Sequence, residues 1–80
     1  MSLYIFYKGG NALNIVAKSD DIKRQMKILK IRQDQLADNL NVSRQYINAL
    51  INGRKNSWRQ AYRLSKELGG NVEDYFIIEE

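Results

Sequence analysis

Four neighbouring polar side chains are of the types that hydrogen-bond to the edges of nucleic acid bases: Arg44, Gln45, Tyr46 and Asn48. Arginine pairs with O6 and N7 of guanine through two hydrogen bonds, whereas glutamine and asparagine pair in the same way with N6 and N7 of adenine. Tyr46 could contact a thymine methyl group or donate to a phosphate, and the sequence leaves both options open. This cluster predicts recognition of nucleic acid bases.

The middle of the chain carries most of its positive charge. The formal net charge is +4, but residues 22–66 hold eleven Lys or Arg side chains against Asp34 and Asp38, while residues 67–80 hold five acids and no base. A compact basic segment favours a polyanionic partner, since each phosphate that it neutralises releases condensed counterions. The alternative on charge alone is a basic surface that is merely solvated.

Length and composition narrow the possible functions. Eighty residues suffice for a single small domain, and the absence of cysteine and histidine excludes a disulfide framework and a His/Cys zinc site. The scattered acids offer neither a nucleophile–base pair nor a metal-binding set. We therefore expect no enzyme, metal, cofactor or small-molecule ligand. With neither a membrane-length apolar run nor a secretory leader, the chain is expected to be cytoplasmic.

Two short helices separated by a tight turn must position the polar cluster, and both are predicted within residues 33–53. Apolar residues recur there at helical spacing, so the two helices can bury their stripes against each other. The first stripe consists of Leu36, Ala37 and Leu40. The second consists of Val42, Ile47, Leu50 and Ile51.

Three further helices are predicted around this pair. The first is capped by Ser19 or Asp20 and ends near Lys30; a fourth runs from its cap Ser57 to Leu68; a short fifth follows Asn71 to about Phe76. Their predicted inward residues include Ile22, Met26 and Leu29 in the first helix and Trp58, Ala61, Leu64, Ser65 and Leu68 in the fourth. Trp58 is also considered as a stacking platform for single strands, but its helical spacing favours the core.

The N-terminal residues differ from the rest in being β-branched and aromatic. Residues 3–8 and 12–17, with Gly9-Gly10-Asn11 between them, predict a short β-hairpin, and a disordered leader is the alternative. Since an isolated hairpin is marginally stable, it should lie against the helices, pair with residues 75–79, or pair with a second copy.

The spaced residues Leu36, Ala37, Leu40, Val42, Ser43, Ile47, Leu50 and Gly53 resemble the helix-turn-helix of Cro/CI-type (XRE-type) DNA-binding regulators. The resemblance covers residues 22–76. It implies an all-α, five-helix, lambda-repressor-like domain, which is placed at residues 19–80 with an acidic C-terminal tail. Residues 3–18 have no counterpart in the resemblance, so the hairpin, or a flexible arm, at residues 1–18 is predicted from residue types alone. In this sequence Asn41 and Lys30 replace usual glycines, Arg32 replaces the usual cap of the second helix, and Met26 and Ile51 replace a common Arg–Glu pair.

The resemblance also implies a function. Helix 44–52 would enter the major groove, with Arg44, Gln45, Tyr46 and Asn48 on bases, and the phosphates would be contacted by Gln33, Ser43, Asn52, Arg54 and Lys55. The expected protein is a small transcriptional regulator, of the phage or mobile-element repressor kind, that binds double-stranded DNA as a homodimer. The alternatives are an interaction module of the same fold, such as an antitoxin-like partner, and single-strand or RNA binding.

Overall fold

A computed structural model describes residues 14–79 of the chain. The elements follow in the order β1 (Asn14–Ala17), α1 (Ser19–Leu29), α2 (Gln33–Leu40), α3 (Arg44–Ile51), α4 (Trp58–Glu67), α5 (Val72–Tyr75) and β2 (Phe76–Glu79). The five predicted helices are thus confirmed, each within a residue or two of its predicted ends. Within this part of the chain, every helix is too short or too polar to span a bilayer.

One hydrophobic core joins all seven elements. Its buried side chains come from both strands and every helix: Ile15, Ile22, Met26, Leu36, Ala37, Leu40, Ile47, Leu50, Ile51, Ala61, Leu64, Leu68, Val72, Tyr75 and Phe76. Met26 and Ile51 are both in this set, so the position of the family's common ion pair is filled here by apolar side chains. An apolar replacement of that kind is often neutral or stabilising, because no charge has to be desolvated.

The α2–α3 pair is built around a left-handed residue. Asn41 ends α2 at φ 59°, and the next amide, Val42 N–H, donates to Ala37 O at 3.0 Å. Asparagine tolerates this conformation better than most non-glycine residues. The predicted cap of α3 is confirmed, since Ser43 Oγ accepts from Tyr46 N–H at 3.0 Å. This cap and the turn fix the angle at which α3 leaves α2.

Two predictions about α1 are wrong. Leu29 was expected in the core but is 41% exposed, because α1 ends at that residue and the half-buried Ile31 packs on the core after the turn. Neither Ser19 nor Asp20 caps α1, whose N-cap residue is Lys18. Ser19 Oγ instead donates to Ile51 O at 2.6 Å, so it satisfies a carbonyl at the end of α3 and ties the two helices together.

Trp58 is a further correction. The rest of the predicted α4 stripe is buried, but Trp58 is 38% exposed. It is the first residue of α4, and helical side chains lean toward the N-terminus, so its indole projects past the end of the helix instead of into the core. The predicted cap is confirmed, because Ser57 Oγ accepts from Gln60 N–H at 3.2 Å.

The polar groups among the buried residues of α4 and α5 are satisfied. Ser65 Oγ donates to Ala61 O at 2.8 Å, and Tyr75 OH donates to Leu68 O at 3.4 Å. Burial, and then the charge of Asp74, raise the pKa of the Tyr75 hydroxyl, which keeps it protonated as a donor. These bonds allow the small α5 to close the core without leaving an unpaired polar atom.

The two strands form an antiparallel pair that joins the two ends of the described chain. Asn14 is opposite Glu79, and Val16 is opposite Ile77. This is the pairing with residues 75–79 that the sequence offered as one option for the N-terminal region. The other predicted strand, residues 3–8, lies outside the described residues, as does the turn at 9–11.

The C-terminus of α1 holds a lysine in the conformation usually taken by glycine. Lys30 has φ 59°, and a left-handed backbone costs an L-residue about 1–2 kcal/mol. A glycine would avoid this strain, but the greater entropy of its unfolded chain would offset part of the gain in stability. We therefore expect Lys30→Gly to raise the free energy of unfolding by about 0.5–1 kcal/mol in urea denaturation followed by circular dichroism.

Lys27→Gly is the matched control, because Lys27 lies within α1 and is exposed. It should lower the free energy of unfolding by about 1 kcal/mol. Equal destabilisation by both glycines would show that the backbone at Lys30 is not strained.

Candidate nucleic-acid interface

Helix α3 has one buried face and one polar face. Ile47, Leu50 and Ile51 are buried against the other helices. Arg44 and Gln45, on the first turn, are exposed. Because the apolar residues hold the helix in a fixed rotation about its axis, these two side chains must point into solvent. The first turn of α3 therefore presents an accessible polar surface.

The beginning of α2 lies beside this polar face. Gln33 is the first residue of α2, and its Oε1 accepts a hydrogen bond from Asn48 Nδ2 of α3 at 3.4 Å. Gln35 stabilises this helix end, since its Oε1 accepts from Arg32 N–H at 2.8 Å. The structure therefore places the N-terminal end of α2 next to the polar face of α3.

The loop after α3 folds back onto the same helix. Gly53 has φ 82°, as predicted for a left-handed exit, and Arg54 N–H donates to Ala49 O at 2.8 Å. Asn52 Nδ2 donates to Asn48 O at 2.9 Å, so its amide nitrogen serves the end of the helix. The Arg54 side chain turns toward α3, where Nη2 donates to Asn48 Oδ1 at 2.8 Å.

Five of the predicted site residues line one shallow, open depression of about 270 Å³: Gln33, Arg44, Gln45, Asn48 and Arg54. The other four lie outside its lining. Ser43 and Lys55 are exposed, Asn52 is half-buried, and Tyr46 is half-buried with its side chain packed against the core. The structure thus gathers residues from three segments, at the start of α2, along α3 and in the following loop.

The cations of this depression are not neutralised by carboxylates. The two ion pairs within residues 14–79 lie elsewhere, Arg24 with Asp21 at 2.8 Å and Arg32 with Asp34 at 3.2 Å. A hydrogen bond from Arg32 lowers the pKa of the Asp34 carboxyl, and both side chains are exposed. Residues 14–79 hold no cluster of His, Cys, Asp or Glu that could bind a metal ion. A depression with uncompensated guanidinium groups suits an anionic ligand.

Sequence reasoning missed the contact between Arg54 and Asn48. The two residues are six apart, and helical periodicity gives no reason to join them, because the chain leaves α3 through Gly53 before it reaches Arg54. A glycine followed by a basic residue after a predicted helix is the only signal of such a return. The direction of the Arg54 side chain therefore comes from the tertiary structure.

Comparison with known proteins gives one family and one curated relative. The family model described as "Helix-turn-helix" matches residues 22–74. A protein of Methanothermobacter thermautotrophicus, described as an "Uncharacterized HTH-type transcriptional regulator", is 39% identical over 61 residues, which span 74% of this chain and 88% of that protein. No solved structure matches the chain.

Proposed function

Since the chain belongs to the XRE-type helix-turn-helix family of DNA-binding transcriptional regulators, we propose that it binds a specific double-stranded operator as a repressor of the phage or mobile-element kind. The observation that supports this most is the exposed pair Arg44 and Gln45 on the first turn of α3, beside the start of α2. An interaction module of the same fold would be expected to present apolar residues there.

In the proposed complex α3 enters the major groove with its N-terminal turn toward the bases. The groove is about 12 Å wide, enough for a helix with its side chains. Arg44 and Gln45 are the proposed base readers, for guanine and adenine respectively. Tyr46 is half-buried on the same turn, and its exposed part would contact a thymine methyl group or a phosphate. Contacts to base edges carry sequence information directly, whereas contacts to phosphates do not.

Contacts to the DNA backbone are proposed on both sides of Arg44 and Gln45. On one side, Gln33 at the start of α2 and Ser43 at the start of α3 would each contact a phosphate. Arg54 and Lys55 would meet the phosphates beyond the end of α3, together with the side-chain oxygen of Asn52. These groups orient the domain on the duplex and strengthen binding to every sequence alike.

Selection of bound duplexes from a random pool, at a stated salt concentration, tests this function. We expect enrichment of a palindromic site and, for a reporter gene placed behind that site, lower expression when the protein is present. Binding to the selected site should exceed binding to random duplex by a factor of about 10³ or more. Absence of enrichment would contradict specific recognition and favour the interaction module, and raised expression would contradict repression.

The proposed regulator acts as a homodimer, because one helix reads too few base pairs to define a site. Two symmetric copies would place their α3 helices in major grooves about 10 base pairs apart. The outer face of the β1–β2 pair is a suitable contact, since Val16 and Ile77 face each other in register and are 38% and 47% exposed. Apolar side chains exposed on a short sheet are typical of surfaces that pair with a second copy.

Replacing Ile77 with lysine should therefore weaken the dimer. We expect the wild type to have the mass of a dimer in sedimentation or light scattering, free or on its operator, and Ile77→Lys to shift the free protein to a monomer. Ile28→Lys is the matched control and should remain a dimer, because Ile28 is also an exposed isoleucine but lies on α1. A monomeric wild type, both free and on DNA, would contradict the homodimer.

A further inference from the structure

We propose that Asn48 is a positioning residue, which holds Arg54 and Gln33 at a fixed spacing, and not a residue that reads a base. This inference rests on the proposed function and replaces the base contact that the sequence suggested for Asn48. It is carried by two hydrogen bonds of one carboxamide, from Arg54 Nη2 to Asn48 Oδ1 at 2.8 Å and from Asn48 Nδ2 to Gln33 Oε1 at 3.4 Å.

The orientation of the Asn48 amide follows from its partners. A guanidinium group can only donate, so the atom that faces Arg54 must be the carbonyl oxygen, and the NH₂ group then faces the oxygen of Gln33. The same two atoms of Asn48 would be required for a bidentate contact with adenine. Asn48 is also half-buried, whereas Arg44 and Gln45 are exposed. Both ends of this amide thus serve neighbouring side chains.

The contact orders an otherwise flexible cation. Arg54 is exposed and belongs to a loop, but its backbone is tied to Ala49 O and its guanidinium to Asn48 Oδ1. One of its five N–H donors is used in this way, and the others remain for a phosphate. A side chain that is already ordered loses less conformational entropy on binding. Asn48 should therefore raise the affinity of Arg54 for the backbone of any duplex.

The hydrogen bond to Gln33 extends this ordering of side chains across α3. Gln33 lies at the start of α2 and Arg54 beyond the end of α3, so Asn48 connects the proposed phosphate contacts on the two sides. The bond to Arg54 is charge-assisted and short, whereas the bond to Gln33 is long. Removal of the Asn48 side chain should therefore lower the affinity for DNA mainly because Arg54 is no longer held in place.

A double-mutant cycle on the full chain tests this role, with binding to the selected duplex, to its single-base variants and to random duplex measured at one salt concentration. We expect Arg54→Ala to weaken binding to all of these duplexes by about tenfold, the effect of one hydrogen bond to a charged group. Asn48→Ala should weaken binding to all of them by about threefold to fivefold. The double variant should bind within about twofold of Arg54→Ala alone.

Gln45→Ala is the matched control within the cycle. Gln45 lines the same depression but makes no side-chain hydrogen bond within residues 14–79, so its effect should add to that of Arg54→Ala. If thermal melting shows that Asn48→Ala is unfolded at the assay temperature, Asn48→Ser takes its place with the same expectations.

Three results would overturn the inference: no loss of binding in Asn48→Ala, a loss that adds fully to that of Arg54→Ala, or a loss of discrimination confined to one base pair. The last would return Asn48 to the base readers. A wild type that fails to distinguish the selected duplex from random DNA would instead contradict the proposed function itself, so the two failures are distinguishable.

Discussion

Replacing Ile47 with alanine is expected to lower the free energy of unfolding by about 2–5 kcal/mol. Ile47 is fully buried in the middle of α3, so alanine would remove buried methyl groups and leave a cavity in the hydrophobic core. The better helix propensity of alanine offsets only a few tenths of a kcal/mol. Urea denaturation followed by circular dichroism measures the change.

The size of this effect matters because small domains are only marginally stable. A domain typically has about 5–15 kcal/mol of stability in total, so Ile47→Ala would remove a large fraction of it. DNA binding should then fall at temperatures where the variant unfolds and return on cooling. The buried face of α3 thus supports function through the population of folded protein, without contact with DNA.

Gln45→Ala is the control on the opposite face of the same helix. Gln45 is exposed, and its truncation should change stability by no more than about 0.5 kcal/mol. Comparable destabilisation by the two variants would contradict the rotation of α3 that buries Ile47 and exposes Gln45, since it would place Gln45 in packing contacts.

Arg44→Ala is expected to relax sequence preference at one base pair by about 1–3 kcal/mol, which is about a fivefold to 150-fold loss of discrimination. The reason is that arginine on the first turn of α3 would make two hydrogen bonds to one guanine, which alanine cannot replace. Gln45→Ala should have a similar effect at a neighbouring position. Competition between the selected duplex and each of its single-base variants measures both effects.

Lys55→Ala is the control for specificity. Lys55 is exposed in the loop after α3, where a single positive charge would meet a phosphate. Its removal should weaken binding to all duplexes evenly and reduce the slope of log affinity against log salt by about one. If Lys55→Ala changed sequence preference and Arg44→Ala did not, the proposed orientation of the domain on DNA would be wrong.

Local sequence determined the helices and their ends to a large extent. Ser43 and Ser57 cap α3 and α4 as predicted, and Asn41 and Gly53 take the left-handed conformations that their side chains tolerate. These features depend on a few neighbouring residues, so spacing and residue type are sufficient to identify them. The wrong predictions of buried residues lie at helix ends. Leu29 and Trp58 continue an apolar stripe beyond the part of the helix that packs on the core.

The polar cluster that includes Arg44 and Gln45 was recognisable from residue type and helical spacing, because Ile47 and Leu50 require the opposite face for the core. Its neighbours were only partly predictable. Gln33 and Arg54 were assigned by resemblance, but their meeting at Asn48 depends on the packing of α2 against α3 and on the path of the loop after Gly53. Likewise, Ser19 is a residue type that often caps helices, yet its hydroxyl donates to Ile51 O at the end of another helix.

The sequence by itself therefore determined the five helices, the α2–α3 turn and the polar side of α3, since each of these follows from periodicity and local hydrogen bonding. Only the tertiary structure decided which polar side chains meet, because such contacts depend on distances between segments that are not set by their separation along the chain. The Asn48 amide shows the difference. Its residue type suggested a base reader, whereas its bonds to Arg54 and Gln33 give it a different proposed role.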